Sequence, residues 1–148
     1  VQLVETILAH GTYIELVTNA TVSKKGKGIT RASEYLAERL EFKISYHYEE
    51  LNKRNLFDSF VETVKLIQES AASFTLELMP YDDVENKADE IMAITENAFG
   101  AKCHVTIGRN DAQKNRDLLT EMERTDYVDT WGKIQLSHVR SKDGFTRS

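Results

Sequence analysis

Apolar and polar positions alternate strictly along Glu41-Phe42-Lys43-Ile44-Ser45-Tyr46-His47-Tyr48. A period of two predicts a β-strand, with Phe42, Ile44, Tyr46 and Tyr48 on one face and Lys43, Ser45 and His47 on the other. Three sister segments share the alternation. Ile14, Leu16 and Thr18 oppose Glu15, Val17 and Asn19. Phe74, Leu76 and Leu78 oppose Ser73, Thr75 and Glu77. Cys103, Val105 and Ile107 oppose His104, Thr106 and Gly108. Each strand has one greasy face and one polar face.

Helical spacing fills the intervals. Val1 to His10 carries Val1, Val4 and Leu8 beside Leu3 and Ile7, and Gly11 follows as a stop. Thr30 is a fair N-cap for a helix over Ala32 to Leu40, and Asn55 for one carrying Phe57, Phe60, Val61, Val64 and Ile67. Pro80 bars continuation of the strand that starts at Ser73. Asp83 to Phe99 reads as a helix closed by Gly100, with Ala88, Ile91, Met92, Thr95 and Phe99 inward. A last helix is expected from Arg116 to about Thr130, before a polar tail over 137–148.

The strands recur every thirty residues or so, about the length of a βα unit, which predicts a parallel sheet with right-handed crossovers. A doubly wound sheet is covered by helices on both faces and should not keep one face polar. Helices on one side only should give this pattern. The expected fold is therefore α/β, a partial (β/α) TIM-type barrel with a polar inner face, over residues 1–111. Residues 112–148 are expected to form a C-terminal helix and polar tail. Four strands leave a sheet edge exposed, so self-association through it is expected.

Composition narrows this little. The chain has 148 residues, enough for a real core, and a formal net charge of -5. An acidic balance argues against nucleic acid and anionic membrane as partners. The single cysteine, Cys103, allows no intrachain disulfide and completes no cysteine-based metal site. It alternates onto the apolar face, where an inert thiol is expected. A cytoplasmic setting fits. Val1 falls inside a helical stripe, so the expectation is a piece of a longer protein.

Barrel sites form at the C-terminal ends of strands. Those ends hold Thr18-Asn19-Ala20-Thr21, Ser45-Tyr46-His47-Tyr48, Glu77-Leu78-Met79-Pro80 and Thr106-Ile107-Gly108-Arg109-Asn110. Amide, hydroxyl, imidazole, carboxylate and guanidinium groups suit a polar ligand. Each has a plainer reading. Asn19 serves equally to turn the chain, and Lys43 with Glu77 to form a structural ion pair. His104 suits a hydrogen-bonded interior position, and Arg109 a capped carbonyl. The Lys24-Lys25-Lys27 run reads as a solvated loop.

Ile14-Glu15-Leu16-Val17-Thr18-Asn19-Ala20-Thr21 resembles the third strand of radical S-adenosylmethionine (SAM) enzymes, which commonly ends in a Thr-Asn-Gly-like turn. Ala20 stands where Gly is usual. Phe42 to Tyr48, Phe74 to Pro80 and Cys103 to Asn110 then resemble strands four, five and six. The resemblance implies SAM and a 4Fe-4S cluster as cofactors, radical chemistry on a small-molecule or peptide substrate, and site residues by position. Asn19, Ser45, His47, Glu77, Ile107 and Gly108 would lie near the cofactor, and Thr18, Lys43 and Arg109 near the substrate. The family's three-cysteine cluster loop and its Gly-Gly-Glu-Pro-like strand are absent from this sequence, so the chain alone is expected to be inactive. Two rivals stand beside it. One is a non-catalytic α/β module for a small anionic or nucleotide ligand. The other is a barrel aldolase or isomerase piece with Lys43 as a Schiff-base amine.

Overall fold

The computed structural model describes residues 2–21, 37–100, 102–106, 120–123, 125–127 and 129–131. In chain order these form α1 (Gln2–Ala9), β1 (Ile14–Thr18), β2 (Leu40–Tyr46), α2 (Tyr48–Lys53), α3 (Phe57–Gln68), β3 (Ser73–Leu78), α4 (Asp82–Glu85), α5 (Ala88–Phe99) and β4 (His104–Val105). The fold is α/β. Its four strands make one parallel sheet in the order β1-β2-β3-β4.

The alternation sets which face is covered. Leu40, Phe42, Ile44 and Tyr46 of β2 are buried, as are Leu76 and Leu78 of β3 and Val105 of β4. They share one core with Leu51 of α2, with Phe60, Val64 and Ile67 of α3, and with Ile91, Met92 and Phe99 of α5. Polar positions between them stay partly or fully exposed. Phe60 stacks on Tyr46 at 5.3 Å between centroids and meets Phe99 edge-on at 6.2 Å. Burial of one such aromatic side chain contributes about 2–3 kcal/mol.

Helix ends follow their local signals. Gly11, at φ +85°, stops α1 with its N–H on the Leu8 carbonyl. Arg39, just before β2, donates to the same carbonyl at 3.3 Å and so ties α1 to the sheet. Gly100, at φ +72°, closes α5 as expected, its N–H on Glu96 O at 2.8 Å.

Several expectations are corrected. The β2 strand ends at Tyr46, because Glu49 and Glu50 suit the first turn of a helix and α2 begins at Tyr48. His47 is consequently an exposed turn residue, off the polar strand face. Leu40 opens β2 and does not end a helix. Asn55 does not cap α3, whose N-cap is Leu56 without a side-chain bond. It ends α2 instead, at φ +51°, with Asn55 N on Asn52 O and Leu56 N on Leu51 O, the two bonds of a Schellman motif. The expected helix over Asp83 to Phe99 is two helices, broken by the turn at Asn86 and Lys87. On α1 the buried stripe is only Leu8 and half-buried Val4, while Leu3 and Ile7 are exposed. Residues 120–123 are not helical, although 125–127 and 129–131 are. The predicted cap Thr30 and the Lys24-Lys25-Lys27 loop lie outside the described residues.

Candidate functional site

Register sorts the polar face into rows. Glu15, Glu41 and Ser73 lie across the sheet from one another, then Val17, Lys43 and Thr75, then Ser45, Glu77 and His104. The third row lies at the C-terminal ends of β2 and β3, and Thr106 follows just beyond His104.

Lys43 reaches diagonally to Glu15, with Nζ 3.2 Å from Oε2. The structural ion pair with Glu77, one of the two readings open for Lys43, is not formed. The hydrogen bond that Lys43 donates to Glu15, opposed by burial, raises the Lys43 pKa above its ordinary value. A Schiff-base lysine needs the reverse shift, since only the neutral amine attacks a carbonyl. The geometry therefore weighs against Lys43 as a nucleophile.

Glu77 is the best-held group on this face. Thr106 Oγ1 donates to its Oε2 at 2.6 Å, and His104 Nδ1 lies 3.7 Å from Oε1. Its side chain is only 16% exposed. Burial pushes the carboxyl upward, but the hydroxyls of Thr106 and Thr75 and the fields of His104 and Lys43 outweigh it, so the pKa falls below the usual carboxylate value. The Thr75 hydroxyl is buried and forms no hydrogen bond among the described residues. Its help to Glu77 is that of a nearby dipole.

The first strand end is used for a turn. Thr18 Oγ1 accepts the Ala20 N–H at 3.1 Å, and Asn19 Oδ1 accepts from Thr21 Oγ1 at 2.9 Å. Ala20 sits at φ +52°, a conformation that favours glycine, while its methyl is buried in the core. Ser45 is on the polar face as expected, next to Glu77. His47 is beside the strand end, in the turn to α2. Ile107, Gly108 and Arg109 lie outside the described residues. Cys103 is buried on the opposite, apolar face, its Sγ 3.5 Å from Met92 Sδ. Burial pushes its thiol pKa up to about 11, which fits an inert group.

A second polar cluster escaped the alternation pattern. Tyr48 OH donates to Glu90 Oε1 at 2.9 Å, Lys87 pairs with Glu49, and the Lys87 ammonium stands 5.6 Å above the Tyr48 ring. These contacts join α2 to Lys87 in the turn before α5 and to the first turn of α5 itself. The signal was the acidic pair Glu49-Glu50 followed by Lys53, a helix pattern hidden by the run of alternating residues ahead of it.

Among the described residues no three His, Cys, Asp or Glu side chains gather as metal ligands, and no helix is long and apolar enough to cross a membrane. Comparison with protein-family models, with curated proteins and with solved structures finds no match to this chain.

Proposed function

We propose that this chain is one wall of a ligand pocket in a partial (β/α) barrel, and that the whole enzyme is of the radical SAM type. The supporting observation is the strand order. Four parallel strands in sequential order, with buried helices on one face and a polar row on the other, are what an arc of a barrel requires. A doubly wound sheet reverses its order at a switch point. The positive φ at Ala20 adds a second support, because it accounts for glycine at that place in the Thr-Asn-Gly-like turn.

The two cofactors fit unequally. Cys103 is buried on the wrong face and cannot ligate a 4Fe-4S cluster, so the cluster ligands must come from residues outside this chain. SAM finds suitable partners in Ser45, Glu77 and Thr106, whose hydroxyls and ionised carboxylate can meet ribose or amino groups. When bound, the cluster and SAM would supply a carbon-centred radical. The chain's own residues would orient the ligand and wall off solvent. A cytoplasmic setting and a substrate held on the polar face belong to the same reading.

The test is to express the chain with the coding sequence that precedes it, reconstitute iron and sulfide anaerobically, and assay SAM cleavage. The expected result is an iron–sulfur absorption band and 5′-deoxyadenosine. A preceding frame without a three-cysteine loop would sink the proposal.

A further inference from the structure

Val105 sits at the outer edge of the sheet, yet it is closed to water. Its neighbour Thr106 donates its N–H to Leu78 O on β3 at 2.8 Å. Peptide groups alternate along a strand, so the N–H and C=O of Val105 point the other way, off the outer edge of β4. The residue is nevertheless only 2% exposed. Backbone groups withdrawn from water are paired in folded proteins. Among the described residues no strand lies on that side of β4 to pair with them.

The rhythm of the chain names a partner. Strands begin at Ile14, Leu40, Ser73 and His104, roughly thirty residues apart, the length of one βα unit. One more such step from His104 falls at Ile134. There the sequence alternates again, with Ile134 and Leu136 apolar and Lys133, Gln135 and Ser137 polar. What precedes it repeats the earlier units. The helix α3 leads from β2 to β3, and α5 from β3 to β4, each with its apolar stripe in the core. Residues 125–127 and 129–131 are helical, and Tyr127 and Trp131, four apart, enter that same core. Gly132 then follows in the sequence, as Gly100 follows α5.

We propose that residues 133–139 pair in parallel with the outer edge of β4 as a fifth strand. A right-handed crossover through the last helix delivers them to that edge. Ile134 and Leu136 then join the core, while Gln135 and Ser137 widen the polar face beyond His104. The pairing also closes an edge that would otherwise invite association. The polar tail begins only after Val139. The inference concerns the sheet itself and stands whatever the polar face binds.

The experiment is amide hydrogen exchange on the full chain, read by NMR. Val17 is the internal reference. Ile14 N–H bonds to Arg39 O, so the Val17 N–H points off the opposite edge of the sheet, and that residue is 68% exposed. After correction for neighbouring residues, Val105 should exchange about a hundredfold or more slowly than Val17. Leu136→Asp should speed exchange at Val105 by about tenfold or more, and Gln135→Asp by less than about twofold, because only the first position enters the core. A nuclear Overhauser contact from the Val105 amide to a residue of 133–139 is expected in the unaltered chain, and it decides the matter should Leu136→Asp not fold. Equal exchange at Val105 and Val17, equal responses to the two aspartates, or absence of that contact would each overturn the proposal. Protection of Val105 that grows with protein concentration would give the partner strand to a second copy and overturn it as well.

Discussion

Half-buried Glu77 and buried Tyr46 are polar side chains on opposite faces of the sheet, and they have opposite consequences for stability. The Glu77 carboxyl has a lower pKa folded than its ordinary 4.5. Its contribution is therefore full above that value and is lost as pH falls through the folded pKa. Urea midpoints measured from neutral pH into acid should fall for the wild type, and Glu77→Gln should flatten that limb. Equal slopes would show that Glu77 is not the titrating group. Tyr46 is 2% exposed, and its hydroxyl has no hydrogen-bond partner among the described residues. Burial raises its pKa, so the phenol stays neutral. Tyr46→Phe keeps the stack on Phe60 and removes a desolvated hydroxyl. It should leave stability unchanged or raise it by about 1 kcal/mol in urea unfolding. A loss of that size would mean that the hydroxyl has a partner after all.

At the scale of elements, α3 carries the core and α2 carries the surprise. Phe60→Ala should cost about 3–5 kcal/mol, because the ring is fully buried between Tyr46 and Phe99 and its removal leaves a cavity there. Tyr48→Phe should cost only about 1 kcal/mol, the value of one partly exposed hydrogen bond to Glu90. If β2 ran on through Tyr48, that hydroxyl would instead sit on the sheet and the change would be silent in α2–α5 docking. The strands, their apolar faces and the α3 stripe were legible because period two and period 3.6 are carried by side chains every few residues. Tyr48 was misread because one aromatic extends an alternating run and also opens a helix. Periodicity over two residues cannot separate those readings, whereas Glu49 and Glu50 at a helix N-terminus can. Asn55 failed for a related reason. An Asn between two helices can cap the second or end the first, and the backbone bonds around Leu51 and Leu56 decide the matter. In the site, alternation put Lys43, Ser45, Glu77, His104 and Thr106 on one face. It did not reveal that Lys43 would choose Glu15, since that choice depends on register between strands distant in sequence.

At the scale of the molecule, the question is whether the C-terminal segment belongs to the same folding unit. The sequence suggests a helix and tail set apart from the barrel-like portion. In the structure Tyr127 and Trp131 are 2% and 1% exposed and lie in the same core as Phe42, Phe60 and Val105. Thr120 also bonds to Glu85 of α4 at 2.5 Å. A side chain as large as tryptophan, fully enclosed, is worth about 3–5 kcal/mol against alanine, a large share of the whole stability of about 5–15 kcal/mol. Trp131 is the chain's one tryptophan, so its fluorescence reports this docking alone. Far-ultraviolet circular dichroism reports the sheet and helices together. The two signals should therefore lose amplitude at the same urea concentration, as expected of one cooperative unit. Trp131→Ala should shift the circular-dichroism transition downward by the energy above. A fluorescence change complete before the dichroism begins to move would instead show an appended module, and the core would then end with the sheet.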